Sequence, residues 1–390
     1  MGATTSAILS RGQSIRFAVV TLLRGTPKIS RAVVALRFTS AQSSTPFAEA
    51  EAALNRAPCY HCAMARLILF VSFAVSLTLA FAEPITPGRV NDLPATEQPA
   101  WQAYLERSQA NAKADEAVVV AEVAANKLTN ALRAPSGGDF KMHTKAGAAW
   151  FAGDEAKQLA NAVLSYQTPS GGWSKHIGFS RGPRKPGMQW TSQNEPGQPA
   201  HYVATFDNGS TTEEMIFLAN VWRATKRDDC KAAFIKGLNF ILAAQFPNGG
   251  WPQVYPLEGG YHDDITFNDD AMTHILELLH AITSNEPAYA FLDESQRQKA
   301  AAAVAAGIRC VLKMQIVQDG KRTVWCAQHD ALTLRPAAAR KMEPATLSGL
   351  ESAHILSFLM TITNPSPEIV AAVEGGLTWF ERAKITGLRK

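Results

Sequence analysis

The sequence predicts an all-α fold, an incomplete α/α toroid of about three helix-pair repeats. Three observations predict it: stretches that repeat from residue 154 onward, apolar residues at helical spacing inside each stretch, and Pro/Gly turn chemistry at the same place in each. The composition agrees, since 46% of the 390 residues are hydrophobic and Gly and Pro follow no short period, which excludes a disordered or collagen-like chain. A formal net charge of +4 over this length is too small to argue for nucleic acid as a partner.

Taken in order, residues 1–63 are rich in Arg, Ser and Ala without a sustained apolar period, and read as a mis-assigned or disordered N-terminal extension. Cys59 and Cys62, in CYHC, lack a second pair or a downstream His-x-x-x-His, so the spacing does not support a zinc site. Residues 64–82, MARLILFVSFAVSLTLAFA, place Arg66 before the apolar run Leu67 to Phe81 and end in small residues, the layout of a signal peptide cleaved after Ala82. The run is too short to span a bilayer as a helix. The expected product is a secreted or periplasmic monomer with no stable membrane insertion after cleavage. Cys230, Cys310 and Cys326 remain, and three cysteines cannot all pair with one another.

Residues 83–149 read as a Pro-rich linker and an accessory helix over Trp101 to Leu132, and residues 150–390 as the toroid domain. Its repeats open with an amphipathic helix that stops at a turn: Gln167 to Trp173 (QTPSGGW), Gln245 to Trp251 (QFPNGGW) and the divergent Gln315 to Trp325. A second helix follows each turn. Met215, Leu218, Ala219 and Trp222 fall at i, i+3, i+4 and i+7, as do Met272, Ile275, Leu276 and Leu279, and Ser352, Ile355, Leu356 and Leu359. Ser210 to Glu213, Asn268 to Asp270 and Ser348 to Glu351 supply side-chain oxygens expected to cap these second helices. A further outer helix starts at Pro367, and Lys390 comes before any partner helix, so a C-terminal truncation is expected.

The loops before the inner helices carry the chemistry. TFDNGS (205–210) and ITFNDD (265–270) are expected to occupy the same position of the repeat and bring Asp207 and Asp269 to one rim, where paired carboxylates suit a hard cation such as calcium. Turn and cap chemistry is the competing explanation for each loop alone. Lys175, His176, Arg335, Arg340 and Lys341 on other loops suit an anionic polymer. Trp173, Trp251 and Tyr255 are candidate faces for sugar rings, Trp173 and Trp251 equally being candidates for core positions that close their turns. No HExxH, GxSxG or GxxxxGK[ST] occurs, which disfavours zinc, nucleophile-elbow and P-loop chemistry.

Five stretches, SYQTPSGGWSKH (165–176), TFDNGSTTEEM (205–215), QFPNGGWPQVYPLEGGYHDDITFNDDAM (245–272), VWCAQHDALTLRPAAARKMEPATLSGLES (324–352) and TNPSPEIV (363–370), resemble the pectate lyases of polysaccharide lyase family 10. The resemblance implies a helical toroid, Ca2+ dependence and cleavage of polygalacturonate by anti β-elimination to unsaturated oligogalacturonates. It implies Asp207 and Asp269 as calcium ligands, Asn208 and Asp270 beside them on the substrate, Lys175 on a substrate carboxylate, and Arg340 as the base, with nearby Arg335 as its alternative. His176 stands where that family usually has Asn, and the family's later Arg-Asp motif lies beyond Lys390. Two rivals stand beside this reading. One is a catalytically defective, truncated pectin-binding relative; the other is a triterpene-cyclase-like α/α protein, suggested by the two Q-x-x-x-G-x-W turns.

Overall fold

The computed structural model describes residues 2–9, 13–20, 33–34, 83–140, 146–193 and 200–387. The apolar leader, Cys59 and Cys62 lie outside them. Two compact units divide the chain, one of residues 1–80 with 380–390 and one of residues 81–379. In the first, β1 (Gly2–Leu9), β2 (Gln13–Val20), β3 (Val33–Val34) and the late β8 (Lys384–Ile385) form one sheet in the order β3-β2-β1-β8, where the sequence suggested no regular element over 1–63 and the end of the last outer helix at 384–385.

The second unit is helical. After the short α1 (Pro87–Asn91) and the long α2 (Gln98–Ala125) come α3 (Ala148–Ala152), α4 (Asp154–Ser165), α5 (Thr212–Thr225), α6 (Asp228–Ala244), α7 (Ala271–Thr283), α8 (Glu294–Met314), α9 (Gly349–Leu359) and α10 (Pro367–Ala383). Helices α5, α7 and α9 neighbour one another as an inner row, and α4, α6 and α8 as an outer row. This is the expected incomplete toroid of about three helix pairs. Short strands tie its loops: β4 (Ile265–Thr266) pairs with β7 (Gln328–His329), and β5 (Val317–Gln318) with β6 (Lys321–Arg322).

The repeated turn is a structural device. The Gln167 amide donates to Gly171 O at 2.8 Å and to Ala233 O of the next outer helix at 2.9 Å. Gln245 does the same to Gly249 and Ala303, and Gln315 to Thr323 and Ala372. Each Trp donates its indole N–H back to its own outer helix, Trp173 to Val163 O, Trp251 to Ile241 O and Trp325 to Val311 O. The glycines permit this close approach: Gly171 has φ +116° and a Cβ there would stand 2.7 Å from Lys236 O, while at Gly249, φ +99°, it would stand 2.3 Å from Ala306 O. Trp173, Trp251 and Tyr255 are all 0% exposed. Their rings fill the core and present no face to a sugar ring, which corrects the expectation that they bind substrate; Tyr255 instead accepts a hydrogen bond from Asn111 through its hydroxyl.

Two further expectations change. The accessory helix ends at Ala125 rather than Leu132 and clamps two turns, with Asp115 accepting from the Ser170 N–H and hydroxyl and the Tyr104 hydroxyl donating to Ala244 O. The inner helices have no side-chain caps. Thr211 instead accepts the Trp173 N–H and donates to Thr205 O, Asp270 pairs with His354, and Ser348 bonds Glu351. Tying turn to loop within a repeat, and through Asp270 one repeat to the next, takes these oxygens away from the exposed helix N–H groups. The described cysteines, Cys230, Cys310 and Cys326, are buried free thiols. Among the described residues no helix is long and apolar enough to cross a membrane.

Candidate active site at the inner-helix N-termini

The loop before α5 hangs on Thr205, whose hydroxyl donates to Gln253 O at 2.7 Å and accepts the Asp207 N–H at 3.0 Å. Phe206 is buried beneath it, so the chain turns upward at Asp207. Asn208 and Gly209 then take φ +54° and +76°, a left-handed pair that Asn and Gly tolerate best. The loop before α7 repeats the device: Phe267 is buried and Asp269 and Asp270 take φ +51° and +60°. The backbone therefore matches Asp207 with Asn268 and Asn208 with Asp269, one residue off the register expected from the sequence. The third repeat keeps the tether, Ser348 N–H to Trp325 O, yet runs directly into α9 without such a turn.

The two loops still bring Asp207 and Asp269 together. Burial first, and then the Asp207 carboxylate within hydrogen-bonding reach, push the Asp269 carboxyl up from 3.8 to about 6. Asp207 also forms an ion pair with Lys175, whose side chain is 13% exposed, and accepts from Gln253 Nε2 at 3.1 Å. Next to this pair a cavity of about 220 Å³ is lined by Asn208, Glu213, Asp269, Asp270, Leu350 and Glu351, with Asp139, Gly209 and His274 completing it. Asp270 pairs with His354 at 2.6 Å, and that carboxylate raises the His354 pKa. The positive ends of three helix dipoles meet this acidic rim.

The oxygen-rich set fits a hard cation: two carboxylates near enough to share a proton, with an amide oxygen beside them. Among the described residues no three His, Cys, Asp or Glu side chains gather closely enough to hold a metal alone. Asp207 and Asp269 would thus supply part of a coordination shell that water, backbone or substrate oxygens complete.

Arg340 pairs with another acid, Glu343, which lies within electrostatic reach of Asp207. The arginine side chain is 63% exposed and grips Glu343 through Nε at 2.9 Å and through a second guanidinium nitrogen. That pairing raises the guanidinium pKa further, while the Tyr202 and Tyr261 phenols lie within electrostatic reach. Arg335 is anchored by its backbone, accepting from Asp330 N–H at 2.8 Å. Sequence reading missed Gln253, Tyr202, Glu258, His262 and Glu343. Gln253, Glu258 and His262 lie inside the long motif that carried the resemblance, so the signal was present, but no local rule marks them as site residues.

The fold and the acidic, lysine-bearing rim define a class, the α/α-toroid polysaccharide lyases. Two solved structures of a family 10 polysaccharide lyase from Cellvibrio cellulosa resemble the chain at 36% identity and a TM-score of 0.52. One, a variant in complex with trigalacturonic acid, is matched over 62% of this chain and 69% of that one; the other over 61% and 68%. No curated protein sequence matches. The model of the pectic acid lyase family matches residues 167–390, and the chain belongs to that family. It is a lyase enzyme of the pectate class.

Proposed function

We propose that the chain cleaves polygalacturonate by calcium-dependent anti β-elimination, giving unsaturated oligogalacturonates, and that it acts as an exported protein. The contact of Lys175, Asp207 and Asp269 at the inner-helix N-termini carries this reading. A uronate C5 proton is acidified by its carboxyl group, and removing it builds negative charge on that carboxylate. Bound calcium would neutralise part of this charge as a Lewis acid held by Asp207 and Asp269. Lys175, released from Asp207, binds the substrate carboxylate, while Asn208 and Asp270 meet the neighbouring sugar. Arg340 is assigned the C5 proton: the C–H electrons form the C4–C5 double bond, the C4–O bond breaks, and the leaving oxygen takes a proton from solvent water. Because Glu343 holds the guanidinium charged, their pair must open and the guanidinium must first give up a proton to solvent before Arg340 can accept the one from C5. Export rests on the leader at 64–82, and the trigalacturonate bound by the Cellvibrio relative supports the substrate class.

The test is ultraviolet absorbance of the unsaturated uronate with polygalacturonate, in calcium and then in chelator. Absorbance that needs calcium supports the reading. Folded protein that binds trigalacturonate and produces no absorbance would replace it with a binding-only relative, and absorbance unaffected by chelator would remove the cation from the mechanism.

A further inference from the structure

We propose that Tyr202 is a positioning residue for the lyase: its ring, held by Glu258 and His262, sets where the Lys175 ammonium stands. The inference rests on the reading above for the role of Lys175, and on the geometry of a network that reading does not use. Lys175 Nζ lies 3.7 Å from the centroid of the Tyr202 ring while its other side meets Asp207. A lysine stem is flexible, and its ammonium is fixed only by what surrounds it. An aromatic face is a directional partner for a poorly hydrated cation.

The ring is itself fixed from two sides. Tyr202 has φ +51°, a left-handed backbone that a bulky residue keeps only when its surroundings impose it. Here the Tyr202 N–H donates to Glu258 Oε2 at 3.0 Å. The Tyr202 hydroxyl lies 2.8 Å from His262 Nε2 and 3.3 Å from the Tyr261 hydroxyl. Glu258 Oε1 stands 3.4 Å from His262 Nδ1 without a hydrogen bond, so the carboxylate grips the tyrosine backbone and packs beside the imidazole. Burial lowers the His262 pKa to about 4, leaving a neutral ring that shares a hydrogen bond with the Tyr202 hydroxyl and is tied to the Gly259 backbone. When a uronate carboxylate and a cation engage the rim, Asp207 turns to the cation and the ring is the contact Lys175 keeps. Pre-placing the ammonium lowers the ordering cost of binding an anionic sugar.

The test compares Tyr202→Leu, Tyr202→Phe and His262→Ala, each checked by circular dichroism. The first readout is acetic anhydride labelling of Lys175, followed by mass spectrometry and normalised to exposed lysines. Tyr202→Leu should label about fivefold faster, whereas Tyr202→Phe and His262→Ala, which keep the ring face and lose only its hydroxyl–imidazole contact, should each label about threefold faster. The second readout is kinetic: Tyr202→Leu should raise KM for polygalacturonate about tenfold with kcat within about twofold, and should add less than about twofold on a Lys175→Met background. Parent-like labelling of Tyr202→Leu, labelling of Tyr202→Phe as fast as that of Tyr202→Leu, or additive KM effects would overturn the proposal. If the Leu variant does not fold, His262→Ala decides by the same labelling criterion. Labelling needs no turnover, so a chain that labels as expected and cleaves nothing loses the lyase mechanism while the Tyr202 assignment stands.

Discussion

Replacing Asp264 by Asn should stabilise the protein at pH 8 and leave it unchanged near pH 4. Asp264 lies on the loop between Tyr261 and Asp269, is 1% exposed, and has a buried Oδ2 without a hydrogen-bond partner. Burial above all, reinforced by the Asp330 and Asp263 carboxylates, pushes its pKa from 3.8 to about 8. A raised carboxyl pKa means that the folded chain holds a proton the unfolded chain releases. The associated stability is therefore fully present below about 3.8 and is lost as pH rises towards about 8. About four pH units at about 1.4 kcal/mol each set a ceiling of about 6 kcal/mol. Local relaxation around a charged Asp264 reduces this, and about 2–3 kcal/mol is expected from Asp264→Asn at pH 8. The amide also places a donor beside Asp263 and Asp330. Urea denaturation of both proteins at several pH values reads the difference directly, since other carboxyls cancel. A gain that does not change with pH, or a variant less stable at pH 8, refutes the reasoning.

Other outcomes follow from the site and the repeat. Asp207→Ala should weaken calcium and trigalacturonate binding about tenfold or more in calorimetry with the fold intact, because it removes one of two paired carboxylates and the anchor of Lys175; unchanged affinity would take Asp207 out of the site. Arg340→Lys should lower kcat by about 100-fold or more while binding survives, and full activity would move the proton-accepting role to Arg335 or elsewhere. Gln245→Leu strips two carbonyls, those of Gly249 and Ala303, of a half-buried donor and should cost about 1–3 kcal/mol in urea denaturation. A loss below about 0.5 kcal/mol would mean that the amide does not hold the repeats together.

Much of this architecture was legible because it is local. The i, i+3, i+4, i+7 residues of α7 and α9 are all buried, as their spacing predicts, and every Gln-to-Trp stretch closes a turn at glycine, with proline beside it in the first two. The motif resemblance also pointed to the acidic loops. Side-chain partnership was another matter. Thr211, Asp270 and Ser348 sit at helix starts and read as caps, yet their oxygens serve other residues. Trp173 and Trp251 read equally as sugar platforms or core, and only packing against the neighbouring helices decides for core.

The sequence by itself determined the helix pairs, the turns between them, the family, and the two loops that bear Asp207 and Asp269. These depend on backbone preferences and apolar spacing within a few residues, which no distant contact has to supply. Only the tertiary structure decided that Asp207 matches Asn268, that Glu343 occupies Arg340, and that Glu258 and His262 stand behind the ring beneath Lys175. Such pairings depend on how the loops converge at the inner-helix N-termini, and that is set by the packing of whole repeats against one another.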